Sequence, residues 1–170
     1  MSTTGTTGTT GTRGTRGTAI ETVDDLPAIR ITREFDAPPE RVFDAHVDEN
    51  EVVRWLGPRG LTMTVHRWDA ETGGGYRYTH ADDGGEYRFF GSFHEVRAPE
   101  RIVQTFAFEG FRDSVCLETM TLTPLPGGRT RLVAQSLYDS FAARDAMLAS
   151  GMDVGVNEGY ERLDELLASR

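Results

Sequence analysis

The sequence predicts one α+β domain: seven strands, mostly in an antiparallel meander, a long C-terminal helix, and two short helices between the first and second strands. Three observations predict it. Apolar residues alternate with period two in Ala28–Phe35, and six later segments bounded by turn residues also read as strands. Clusters of Gly, Pro and Asp separate those segments by connections too short for crossover helices. An apolar stripe at helical spacing closes the chain. The 170 residues suffice for one domain, and a content of 38% hydrophobic and 26% charged residues is that of a globular protein.

Residues 1–18 hold nine Thr, five Gly and almost nothing that can be buried, so a disordered tail is expected there. Its glycines recur every third residue, but without proline the segment lacks the pre-organisation of a collagen strand. Residues 19–26 are read as a linker and 27–168 as the folded domain. Deleting residues 2–18 is accordingly expected to leave the melting temperature unchanged.

In the first strand, Ala28–Phe35, Ile29, Ile31, Arg33 and Phe35 share one face. Asp36-Ala37-Pro38-Pro39 supplies a capping residue and first-turn prolines for a short helix through Val42, Phe43, His46 and Val47. Asp48 or Asn50 caps a second, which must stop at Gly57-Pro58. The remaining strands are read at 61–68, 76–80, 87–96, 101–108, 114–122 and 130–136. Apolar residues occupy both faces of 61–68 and 89–96, so parity there stays open. Asp139 or Ser140 caps a further helix, which reaches Ser150-Gly151. In the last one, from about Met152 to Leu167, Met152, Val156, Tyr160, Leu163 and Leu167 form the stripe expected on the sheet. Gly155 and Gly159 inside it each cost about 1 kcal/mol relative to Ala, which calls for a close backbone approach or room for a ligand.

Charge and residue usage exclude several function classes. Without the tail, 16 arginines face 27 acids, a net −11, which disfavours non-specific nucleic-acid binding. No apolar run approaches a membrane span, and nothing at the N-terminus has the apolar core of a secretory signal, so a cytoplasmic location is expected. Cys116 stands alone, which rules out an internal disulfide or a cysteine zinc cluster. His46, His66, His80 and His94 show no metal-ligand spacing, and GxSxG and GxGxxG are absent. No metal, cofactor or catalytic residue is therefore expected.

The order of elements carries a resemblance. Arg33-Glu34-Phe35-Asp36-Ala37-Pro38-Pro39-Glu40-Arg41-Val42-Phe43 at the first strand–helix junction, Trp55-Leu56-Gly57-Pro58, and Asp69 followed by Gly73-Gly74 are its first parts. Gly91-Ser92-Phe93-His94-Glu95-Val96, Glu118-Thr119-Met120-Thr121-Leu122, and Gly151-Met152 through Glu158-Gly159 to Leu163 complete it. Together they resemble the START/SRPBCC superfamily, the helix-grip fold, in its branch of heat-shock-chaperone ATPase activator homologues. The resemblance covers roughly 27–168. It implies a curved antiparallel sheet gripping the C-terminal helix, with a cavity between them that in many relatives holds an apolar or polycyclic small molecule. Relatives include lipid carriers, hormone receptors and polyketide cyclases or aromatases. The chaperone activators themselves carry a further N-terminal domain where this chain has a Thr/Gly tail, so a chaperone partner is not expected.

A small apolar or aromatic ligand is thus the expected partner. A cyclase-like enzyme and a chaperone-directed interaction protein are the alternatives, and an open sheet edge leaves room for a homodimer. The candidate pocket residues follow. Glu118 shares parity with Cys116, Met120 and Leu122; it is read as an inward carboxylate, as a structural ion-pair partner of Arg33, or as a solvent-facing residue. Trp55, Trp68, Tyr76, Tyr78 and Phe106 offer aromatic surface, for a ligand or for the core. Met120, Met152 and Val156 add apolar wall, and Tyr160 brings a hydroxyl that needs a partner if buried.

Overall fold

A computed structural model describes residues 12–13 and 17–169. Nine strands form one antiparallel sheet among these residues: β1 (Thr12–Arg13), β2 (Ala19–Val23), β3 (Ala28–Phe35), β4 (Thr62–Trp68), β5 (Gly75–Asp82), β6 (Gly85–Arg97), β7 (Arg101–Phe108), β8 (Val115–Leu125) and β9 (Arg129–Leu137). The helices are α1 (Pro39–Val47), α2 (Glu49–Trp55), α3 (Phe141–Ala149) and α4 (Met152–Ala168). The strand order is β1-β2-β3-β9-β8-β7-β6-β5-β4. From β4 onward it is a meander, and α1 and α2 carry the chain from β3 to the far edge.

This is the expected α+β helix-grip arrangement, with two strands more than the seven expected. Both lie before Ala28. The segment read as a linker, 19–26, contains β2, which pairs with β3 through Ile20↔Ile31 and Thr22↔Ile29 and buries Ile20. Most of the expected tail lies outside the described residues, but Thr12–Arg13 pairs with β2 and Thr18 is fully buried. Thr18 accepts a hydrogen bond from Nη1 of Arg33, so the folded domain begins before Ala28 and includes Thr18.

Local chemistry explains the helix ends. Pro38 precedes α1 and Pro39 opens it, while Asp36, expected as a possible cap, instead accepts from Arg129 Nε at 2.8 Å. Asp48 caps α2 by accepting from Asn50 N at 2.8 Å, and Ser140 caps α3 by accepting from Ala143 N at 3.0 Å. The core runs from Ile29, Phe35 and Leu132 on the sheet to Val42 and Val52 on α1 and α2 and Leu163 on α4. The expected α4 stripe is present, but Leu166 is more deeply buried than Leu167. No helix of the described residues is long and apolar enough to cross a membrane.

Candidate functional site

Strand register builds one polar row across the middle of the sheet. Gln104 on β7, Glu118 on β8 and Ser136 on β9 are directly paired. Gln104 Nε2 donates to Glu118 Oε2 at 2.9 Å, and Ser136 Oγ donates to Oε1 at 3.5 Å. Two residues along, Ile102, Met120, Ala134 and Ile31 make a parallel apolar row across four strands. Both rows face a partly open cavity of about 400 Å³ between sheet and helices, within the range of small-molecule sites.

Aromatic side chains make much of the wall. Tyr78, Phe89 and Phe106 stack in sequence, with ring centroids 5.2 and 5.3 Å apart. From the helical side, Trp55 stacks on Tyr160 at 6.3 Å, and Tyr160 meets Phe35 edge-on at 5.6 Å. The indoles are anchored: Trp55 Nε1 donates to Ala45 O at 2.8 Å and Trp68 Nε1 to Val47 O at 2.9 Å. These two bonds lock α2 and β4 against α1. Met147, Met152, Gly155, Val156 and Gly159 close the side formed by α3 and α4.

The electrostatics follow from burial. Desolvation pushes the Glu118 carboxyl above the usual carboxylate range, against the opposing pull of its bonds from Gln104 and Ser136. Burial first, and then the nearby Glu118 carboxylate, raises Tyr78 and Tyr160, so both phenols hold their protons at neutral pH. Burial likewise raises the Cys116 thiol, which leaves it inert as a nucleophile. His46 is pulled down to about 4 by burial, although its Nδ1 donates to Val42 O at 2.7 Å. His80 is lowered for the same reason, and its Nε2 is buried without a partner. Its ring lies over Gly57 and leaves no space for a Cβ there, one built on it standing 2.5 Å from His80 Cε1, and the φ of +90° independently favours glycine.

The sequence profile of a family described as activator of Hsp90 ATPase homolog 1-like protein matches residues 36–168. The chain belongs to that family. A solved structure of a protein from Rhodobacter sphaeroides is 28% identical over 88% of this chain and 97% of its own, with a TM-score of 0.80. One from Chromobacterium violaceum is 30% identical over 84% of this chain and 99% of its own, at 0.73. One from Mycobacterium smegmatis is 27% identical over 88% and 96%, at 0.78. Among curated proteins there is no match.

In this family member Trp55, Trp68, Tyr78, Phe106, Glu118, Met120, Met152, Val156 and Tyr160 of the expected residues come together around the cavity. Arg33 and Tyr76 do not line it. Arg33 shares the inward parity of β3, but its Nη2 donates to Asp164 Oδ2 on α4, so its partner is Asp164 and not Glu118. Tyr76 sits one layer behind, packed on Trp68 and Phe93, and donates its hydroxyl proton to Thr105 O at 2.6 Å. Of the three readings of Glu118, only the inward carboxylate fits this geometry. Gln104, Ser136, Tyr138, His46 and His80 were not singled out for the pocket from the sequence, although all line it. The signal that finds Gln104 and Ser136 is register: each stands directly across from Glu118.

Proposed function

We propose that the protein binds a small apolar or aromatic molecule between its sheet and α4. One observation carries this reading: a cavity of about 400 Å³ with stacked aromatic walls and few polar groups, among them the hydrogen-bonded row Gln104, Glu118 and Ser136. Apolar walls with a few placed polar groups are the usual composition of a ligand site. The activation of a chaperone ATPase in the family's name forms no part of this reading, which rests on the cavity.

The chain carries its own probe, because its only two tryptophans, Trp55 and Trp68, both face the cavity. Native mass spectrometry of protein purified from its own host, with extraction of any co-purifying molecule, is the direct test. A stoichiometric apolar compound that changes tryptophan emission on re-addition is the expected result. Protein that carries nothing, and whose emission is unmoved by a panel of flat apolar compounds, would overturn the reading.

A cyclase-like enzyme is the second reading, favoured by one feature. Glu118 is a buried acid with a raised pKa within reach of a bound chain, and such a group can transfer a proton. Turnover of a reactive polyketide chain, lost in Glu118→Gln, would select it over binding alone.

A further inference from the structure

Resting on the ligand-binding reading, we propose that the cavity selects molecules whose apolar or aromatic body carries a protonated amine, the ammonium being held by the Glu118 carboxylate. The inference starts from what surrounds that carboxylate. Its hydrogen bonds come from two neutral donors, Gln104 and Ser136, and an ionised carboxylate has about four acceptor positions. Among the described residues no arginine lines the cavity, and the chain contains no lysine.

The arginine that is fully buried is committed elsewhere. Arg33 gives its guanidinium to Asp164 and Thr18, with its Cζ 5.8 Å from the centre of the Tyr160 ring. The remaining basic groups in the wall, His46 and His80, are both shifted toward the neutral form. Among the described residues the cavity therefore holds a carboxyl group with no counter-cation of its own, which burial keeps toward its protonated form until a ligand brings a cation to it.

Chemistry then discriminates among ligand head groups. Against the ionised form of Glu118 an anionic head would meet a like charge in a site of low dielectric, which is strongly unfavourable. A hydroxyl head can bond to Glu118 in either form but supplies nothing that favours its ionisation. An ammonium supplies charge and donors together, and bonds between charged partners are roughly twice as strong as neutral ones. The surrounding rings of Tyr78, Trp55 and Tyr160 add faces that attract a cation. The net charge of −9 favours the approach of a cation from solution.

Three probes of one shape separate these cases: 4-phenylbenzylamine, the neutral 4-phenylbenzyl alcohol, and 4-phenylbenzoate. Each is titrated at about pH 8 against the full chain and against Glu118→Gln, read by tryptophan emission and by calorimetry. The amine should bind about tenfold tighter than the alcohol, the difference between a charged and a neutral hydrogen bond, and the benzoate weakest. In Glu118→Gln the preference of amine over alcohol should fall to about onefold, while retained alcohol binding shows that the variant is folded. Equal affinities in the native protein, a preference for the benzoate, or an amine preference that survives Glu118→Gln would overturn the amine proposal and leave the ligand-binding reading standing. Failure of all three probes to bind would count against both.

Discussion

Removing Asp164 should strand a buried cation. Arg33 is 1% exposed and its guanidinium has two partners, Asp164 and Thr18, with Nε already unpaired. In Asp164→Ala the charge stays inside with one neutral acceptor. Breaking a buried pair from one side costs about 3–5 kcal/mol. Asp164 is 26% exposed, so water can partly replace it and the lower end, about 3 kcal/mol, is expected. That is a large share of the roughly 5–15 kcal/mol available to a domain. For a domain of this size, about 3 kcal/mol lowers the melting temperature by roughly 6–12 °C. Replacing both partners by apolar residues, Arg33→Met with Asp164→Leu, removes the stranded charge and should recover most of the loss. Urea unfolding followed by circular dichroism measures all three proteins. A loss below about 1 kcal/mol in Asp164→Ala, or a double variant no better than the single one, would refute the assignment of Asp164 as Arg33's partner.

Four further outcomes are expected. Glu118 binds its proton more tightly folded than unfolded, so its contribution to stability is lost as pH rises from the ordinary carboxylate range through its raised folded value. The groups facing it are Gln104, Ser136, Tyr78, Tyr138 and Tyr160, with Tyr76 and Cys116 beside them, and the phenols and the thiol all stay protonated through neutral pH. Glu118→Gln should therefore flatten that fall in urea midpoints, and an unchanged slope would argue against a buried acid. His46 has the opposite sign. Its folded value near 4 lies below the ordinary 6.5, so stability is lost as pH falls between the two, by on the order of 3 kcal/mol at most, and His46→Asn should remove that slope. At Gly155 a Cβ would meet only Pro58 Cδ, at 3.7 Å, so Gly155→Ala should gain about 0.5–1 kcal/mol from helix propensity. Gly155→Leu should instead fill the cavity, abolishing binding of 4-phenylbenzyl alcohol in a protein that still melts cooperatively.

Sequence patterns reported elements well wherever one face is buried and the other wet. The expected spans of Ala28–Phe35 and Arg101–Phe108 coincide with β3 and β7: β3 buries every second side chain from Ile29 to Phe35, while β7, apolar on both faces, is bounded by Pro99 and by the turn at Glu109-Gly110. β2 escaped because its five residues follow a Thr/Gly stretch, and its worth lies in Ile20 and Thr18 reaching β3, which no local pattern displays. Parity puts Glu118 on one face with Cys116, Met120 and Leu122, but only the structure shows which face is the inner one. The partner of Arg33 was not legible either. Arg33 and Asp164 are 131 positions apart, and only the seating of α4 brings them together. The hydrogen bonds from Gln104 and Ser136 needed the register of two hairpins, one of them turning through Glu109–Phe111. Parity in β4 was ambiguous for a physical reason: a bulge between Val65 and Arg67 shifts the register, so one strand uses two phases.

How α4 is held explains why its stripe announced a buried face but not a cavity. Its C-terminal half is fixed on the sheet by Leu163, by Tyr160 against Phe35, and by Asp164 with Arg33. Its outer side is tied to the loop after α2: Arg59 N donates to Glu158 at 2.8 Å, the Arg59 side chain pairs with Glu165 at 2.5 Å, and Arg162 donates to Gly57 O at 3.1 Å. A Cβ on Gly159 would stand 3.4 Å from Gly57 N and Trp55 O, so the helix and that loop touch backbone to backbone. A helix secured at one end and along its outside does not need its inner N-terminal half filled. Met152 and Val156 can then border a space instead of a core, and methionine adapts to either role. Helical spacing identifies the apolar face; what fills the space in front of it is decided by the residues opposite, here Glu118 and its neighbours on the sheet.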